Sequence, residues 1–361
     1  MSLWTFGYLN ARLRGLLSFI TSADTIHNLL QAATVNELID IIYLTSYKKY
    51  FEALDEFSIY QIEIALNTHF SDICNSLHRG LRGNLAYTFD AILAKFNSSN
   101  LKTILRGIYA DLDRDDILKY IFPIKGSFPR IASNRCFLES FTPLAKEKTI
   151  KEALENIRNP ELRNKLLEAF SEYQASDNLL FLESTIDNFV YSQLWKTASK
   201  WKFNKLFRIN PKFHIKNLVG EEIDLKNILV ILRCISQGID PQRFIIPIYH
   251  RICKIVPILS KSESIDKVSQ IFSQCPFYGH LFEDFADKEF FEVISTLEVT
   301  LPRHHVRLCR DCFNEHPYNV ALLYCFLIVK FYEIYDLKLV LAGKLEEISP
   351  TKIQNYLILY T

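Results

Sequence analysis

Glycine and proline are scarce in this chain, with 10 and 12 among 361 residues. Barrels, sandwiches and doubly wound sheets need frequent turns, and glycine supplies the positive φ that many turns require. The shortage argues against those folds and for long helices. Charge of one sign is lacking as well: 42 Lys and Arg stand against 41 Asp and Glu, a net charge of +1. General affinity for nucleic acid shows as a strong basic excess, because phosphate contacts dominate such binding, so this composition speaks against that class. The longest apolar run, Val320 to Val329, is ten residues and stops at Lys330, half of the about 20 that cross a bilayer as a helix. The opening Met1-Ser-Leu-Trp-Thr-Phe-Gly-Tyr8 has neither the basic start nor the apolar block of a secretory signal. A soluble protein is expected, one that meets a membrane only from the side or through a partner. The eight cysteines follow no framework and read as reduced thiols, mostly small buried hydrophobes.

What is present is helical periodicity. After Asp24, apolar residues fall at Ile26, Leu29, Leu30 and Ala33, then at Val35, Leu38, Ile39 and Ile42. Each set lines one helix face. Between them Thr34 and Glu37 have the spacing of a capping box, in which the hydroxyl accepts from a free backbone N–H and the carboxylate reaches back. Strand-like alternation is short and rare, so the expected fold class is all-α.

The capped start recurs. Thr34-Val-Asn-Glu-Leu, Thr149-Ile-Lys-Glu-Ala and Ser264-Ile-Asp-Lys-Val stand 115 residues apart in succession. A second landmark, Leu-Lys-x-(Ile/Val)-Leu, begins at Leu101, Leu225 and Leu337, each time after a polar residue: Asn100, Asp224 and Asp336. A third, Ile62-Glu63-x-x-Leu66-Asn67 and Leu182-Glu183-x-x-Ile186-Asp187, appears in two of the copies. A period near 115 exceeds the 20–50 residues of solenoid units, so each copy can hold several helices and a small core. Pro123, Gly126 and Pro129, then Gly238, Pro241 and Pro247, punctuate the chain between copies. The expected organisation is three helical repeats over residues 1–122, 123–240 and 241–361.

These motifs resemble a known family. Tyr8-Leu-Asn-Ala-Arg12-Leu-Arg14-Gly, Glu222-Ile-Asp-Leu-Lys226-Asn-Ile-Leu-Val-Ile-Leu-Arg233 and the stretch Phe326 to Tyr360, with Ile353-Gln-Asn-Tyr-Leu357, are similar to the C subunit of archaeal A-type ATP synthases and to the d subunit of V-type ATPases. The third copy departs from the family pattern, carrying Leu339 where an asparagine is usual. The resemblance implies a funnel of three pseudo-symmetric bundles. It implies a non-catalytic central-stalk rotor component on the cytoplasmic face of the membrane, present in one copy. Its expected partners are the proteolipid ring, which carries H⁺ or Na⁺, and the other components of the stalk.

Two clusters carry more pointed chemistry. Between Asp187 and Glu221 no acidic residue occurs, while Lys196, Lys200, Lys202, Lys205, Arg208, Lys212 and Lys216 alternate with Trp195, Trp201, Phe203, Phe207 and Phe213. Such a stretch suits anionic headgroups, acidic partner loops or, least of the three, single-stranded nucleic acid; a solvated face whose aromatics point inward is the plainer account. His304-His305-x3-Cys309-x2-Cys312-x3-His316 holds soft ligands for zinc, or residues that simply share a helix face. Arg12, Arg14, Arg106, Lys226 and Arg233 are candidate interface cations, with local helix pairing as the plainer account. No phosphate-binding glycine loop, H-E-x-x-H or G-x-S-x-G sequence occurs, so neither a catalytic site nor a cofactor is expected. A free-standing helical adaptor and a zinc-stabilised module are the competing readings.

Overall fold

A computed structural model describes residues 3–119, 121, 141–202, 210–248, 251, 252, 258, 265–282, 285 and 288–360. Lys205, Arg208, Ser264 and the punctuation at 123–129 lie outside them. The described regular structure is helical throughout, with no strand. Helices α1 (Leu3–Leu17), α2 (Ala23–Gln31), α3 (Val35–Tyr43) and α4 (Lys48–Phe51) precede the long α5 (Ile59–Gly80) and α6 (Asn84–Tyr109). Then come α7 (Arg114–Lys119), α8 (Phe141–Leu144), α9 (Ile150–Glu155) and α10 (Pro160–Ser176), followed by the long α11 (Leu180–Ala198) and α12 (Ile215–Ser236). After α13 (Ile265–Ser273) come the long α14 (Phe290–Asp311) and α15 (Ala321–Leu345), and finally α16 (Pro350–Gln354).

The helix starts follow from the capping residues. Thr149 Oγ1 accepts from the N–H of Glu152, and the Glu152 carboxylate accepts from the N–H of Thr149, both at 3.2 Å, a complete capping box. At α3 the hydroxyl does the same for Glu37 N–H, but the Glu37 carboxylate reaches one residue further back, to the N–H of Ala33 at 2.7 Å. Ser22, Ser58 and Asn159 cap α2, α5 and α10 in the same manner.

The ends of three long helices share one geometry. α6, α12 and α15 finish with a residue at positive φ: Asp111 (52°), Gly238 (67°) and Glu347 (54°). In each, the next N–H bonds back to a carbonyl five residues earlier: Leu112 to Gly107 at 3.0 Å, Ile239 to Cys234 at 2.8 Å and Ile348 to Gly343 at 2.8 Å. This is the Schellman arrangement, which satisfies carbonyls that a helix end leaves free. Near two of these ends the close approach of a short helix requires glycine. A Cβ on Gly107 would lie 2.5 Å from Ile117, and one on Gly343 would lie 2.7 Å from Ile353, so α7 and α16 seat directly on bare helix backbone.

Three buried cores result. One joins Leu101, Ile104 and Leu105 of α6 to α9, α10 and Leu182, Ile186 and Phe189 of α11. Another joins Leu225, Ile228 and Leu232 of α12 to Phe272 and Tyr278 and to Val293, Leu297 and Leu301 of α14. The largest joins α1–α5 to α15 and the residues after it. The ten-residue apolar run forms the first half of α15 and is buried whole. Lys330 stays inside too, at 1 % exposure, because its ammonium meets Glu333 at 2.6 Å and the Tyr47 hydroxyl at 3.1 Å. Glu333 in turn accepts from the N–H and hydroxyl of Thr21, both at 2.8 Å. A buried charge persists only when paired and hydrogen-bonded in this way.

Candidate functional site

The long helices pack in a closed sequence: α6 against α11, α11 against α12, α12 against α14, α14 against α15, and α15 against α5 and, more lightly, α6. The repeated landmarks meet at three of these contacts. Arg106 of α6 grips Glu183 of α11 with two bonds, at 2.6 and 2.7 Å. Arg233 of α12 meets Glu298 of α14 at 2.6 Å. Lys338 of α15 faces Glu63 of α5 at 4.0 Å. Glu298 belongs to Leu297-Glu298-x-x-Leu301, a third copy of the aliphatic-Glu-x-x-aliphatic landmark standing 115 residues after Leu182. Sequence reading missed it because the acidic or amide residue that closes the first two copies is Pro302 here.

Between these contacts runs a band of charges that is largely hidden from solvent. Asp187 of α11 binds Lys102 of α6 at 2.8 Å and Lys226 of α12 at 3.1 Å, so one carboxylate ties three helices. Burial pushes the Asp187 pKa up, but Lys226 and Lys102 outweigh it and hold the group below its ordinary value. One turn earlier on α12, Glu222 pairs with Lys95 of α6. It also accepts from the hydroxyls of Tyr191 at 3.2 Å and Tyr324 at 2.6 Å. Its pKa is likewise lowered: burial opposes ionisation, and Lys95 and His305 overcome it. Glu221, 1 % exposed, takes Arg251 at 3.2 Å and His304 at 3.3 Å.

The polar residues that open the Leu-Lys landmark are buried in all three copies. Asp224 accepts from the N–H of Arg251 at 2.7 Å and from the Tyr278 hydroxyl at 3.1 Å. Asp336 accepts from the N–H groups of Ile358, Leu359 and Tyr360 at 2.8, 2.7 and 3.3 Å. Both fasten the backbone of a later segment to a long helix. Asn227 does the same for Ile246, donating to its carbonyl at 2.9 Å and accepting from its N–H at 2.8 Å. The asparagine of the middle landmark is thus a structural pin.

The other candidate residues fall in different places. Arg12 and Arg14 are engaged within the chain, Arg12 with the Ser76 hydroxyl of α5 and Arg14 with the Phe313 carbonyl at 2.7 Å. Lys196, Lys200 and Lys202 are exposed at the end of α11. Trp195 and Trp201 are half-buried against the large core, and Trp201 donates to Thr88 at 2.9 Å. The described part of that stretch therefore turns its rings in and its ammonium groups out. The His/Cys cluster is divided: His304 turns to Glu221, and His305 lies 2.9 Å from the Tyr324 hydroxyl and 3.8 Å from Cys309 Sγ. His316 accepts from the N–H of Tyr318 at 3.3 Å. Among the described residues no three His, Cys, Asp or Glu side chains converge as metal ligands.

Nor is any helix among the described residues long and apolar enough to cross a membrane. The chain has relatives among the C subunits of A-type ATP synthases. The C subunit of the A-type ATP synthase of Methanocaldococcus jannaschii is 22 % identical, over 98 % of this chain and 86 % of its own length. That of Methanosarcina mazei is 24 % identical, over 98 % and 93 %. That of Pyrococcus horikoshii is 22 % identical, over 97 % and 89 %. The sequence profile of the ATP synthase (C/AC39) subunit matches residues 9–356, and the chain belongs to that family of rotary-ATPase subunits.

Proposed function

We propose that this chain is a non-catalytic central-stalk subunit of an A/V-type rotary ATPase or ATP synthase. In this reading it joins the stalk to the proteolipid ring, sits as a single copy on the cytoplasmic face of the membrane, and passes torque for H⁺ or Na⁺ movement. The three copies of the repeat form a funnel around the closed sequence of long helices. The observation that carries the reading is the match of residues 9–356 to the ATP synthase (C/AC39) subunit family; the inter-helix ion pairs Arg106–Glu183, Arg233–Glu298 and Lys338–Glu63 are consistent with it. They join each Leu-Lys helix to the Glu-bearing helix of the next copy, and the third joins the last copy back to the first. A coupling part must transmit rotation rather than absorb it, and a helical body closed on itself resists splaying. The ion pairs add little stability, since partly exposed pairs contribute at most about 1 kcal/mol each.

The test is purification of the tagged chain from gently solubilised membranes, followed by mass spectrometry of the bound proteins. Recovery of proteolipid and catalytic A/V-type subunits at one tagged chain per complex is expected. Recovery of the tagged chain without those subunits, from membranes in which the ATPase is intact, would refute the reading.

A further inference from the structure

The last turns of α14 and the segment Asn355–Leu359 enclose a polar cleft of about 390 Å³. Arg303, Arg307 and Arg310 line it from one helix face, with Asp311, Asn314 and the aliphatic Ile358 beside them. Two of the arginines are held in place by neutral groups. Arg303 donates to the carbonyls of Leu357 at 2.8 Å and Asn355 at 2.9 Å, and Arg310 donates to that of Leu359 at 3.4 Å. Arg307 is exposed and forms no hydrogen bond or ion pair among the described residues. None of the three is paired with a carboxylate there, in contrast to Arg106, Arg233 and Arg251. Asp311 contributes the one carboxylate of the lining. Asp336 acts on Arg303 from behind, but its oxygens are occupied by the N–H groups of residues 358–360. The C-terminal end of α14 offsets about half an elementary charge and Asp311 one more, so the lining keeps a net positive charge among the described residues.

We propose that this cleft binds an anion carrying two or more phosphoryl groups, held across Arg303, Arg307 and Arg310. Guanidinium groups match phosphate oxygens with paired N–H donors. Fixing two of the three by carbonyl bonds lowers the side-chain entropy lost on binding. The three residues span about 10 Å along the helix, so a single phosphate reaches two of them at most, while linked or neighbouring phosphates engage all three. The anion is either a free one of the pyrophosphate class or a multiply phosphorylated lipid headgroup. The inference does not depend on the rotor reading.

Calorimetric titration of the full chain with pyrophosphate, at fixed ionic strength and with sulfate as the comparison anion, tests it. Pyrophosphate is expected to bind at least about tenfold more tightly than sulfate. Arg307→Gln removes no internal bond and should keep the wild-type melting curve while weakening pyrophosphate about tenfold; Arg307→Lys should fall between. Equal affinity for the two anions, or an Arg307→Gln variant that binds pyrophosphate like wild type, would overturn the site. Sedimentation with vesicles bearing a bisphosphorylated headgroup separates the sources. Co-sedimentation competed by pyrophosphate assigns the cleft to a lipid, and pyrophosphate binding without co-sedimentation assigns it to a soluble anion.

Discussion

Asp187 holds two lysines from two different helices, and its replacement by asparagine would leave both ammonium groups facing a neutral amide. The three side chains are mostly buried, so the loss should reach about 2 kcal/mol or more in urea denaturation at neutral pH. The pH dependence is set by the sign of the shift. The folded-state pKa of Asp187 is lowered, below an unfolded value of about 3.9. Its contribution is therefore fully present above that value and is lost as pH falls through the lower, folded one. The stability gap between wild type and Asp187→Asn should stay level above about pH 5 and narrow below about pH 4. A gap that widens on acidification would contradict the assignment of Lys102 and Lys226 as its partners.

At the scale of the element, the seating of α7 and α16 on bare backbone makes two glycines irreplaceable. Alanine is the better helix former by about 1 kcal/mol. Even so, Gly107→Ala and Gly343→Ala should each lower stability by about 1–3 kcal/mol through overpacking, because Ile117 and Ile353 occupy the space of the new methyl group. Adding Ile353→Ala to Gly343→Ala should restore less than it costs on its own, since the isoleucine fills a core position. Thermal melts of the single and paired variants measure both effects. The opposite result is expected at Glu347. A side chain at positive φ carries about 1 kcal/mol of strain, so Glu347→Gly should raise the melting temperature by a few degrees.

These elements also mark what the sequence could reveal. Apolar spacing and hydroxyl caps report local backbone preferences, and they located α2, α3 and α9. The recurrence of Leu-Lys-x-(Ile/Val)-Leu was visible because all three stretches kept the leucines and the lysine. The shared helix ending was not, because only Gly238 announces it, while Asp111 and Glu347 adopt the same turn without the residue that favours it. The partners of Lys102 and Lys226 were not legible either. Glu183 and Asp187 stood in a landmark, yet nothing in a linear pattern says which helix lies beside α11. The basic-aromatic stretch was half legible, its described rings inward and its lysines outward as an amphipathic face requires.

For the whole molecule, the three equivalent helix contacts are unequal in electrostatic strength. Double-mutant cycles should give a coupling near 1 kcal/mol for the bidentate Arg106–Glu183 pair and less for the more exposed Arg233–Glu298. Lys338–Glu63, at 4.0 Å, should lie within error of zero. If Lys338–Glu63 coupled most strongly, the contact of α5 with α15 would owe its register to charge and not to the apolar core around Phe70, Leu66 and Leu337.

That last contact bears on how the protein is made. The largest core joins the first hundred residues to the final fifty; Tyr47 waits for Lys330 across 283 residues, and Thr21 for Tyr360 across 339. At ribosomal speeds of about 5–20 residues per second, the leading helices leave the tunnel tens of seconds before their apolar partner exists. For that interval the nascent chain shows a greasy face that residues of α11 and α12 cover only in part. The middle segments, whose cores draw on nearer sequence, can fold in the meantime, and the ends meet last. A ribosome that stalls before α15 thus leaves an object for chaperones or proteases, and birth of the native molecule waits on the codons for α15 and α16.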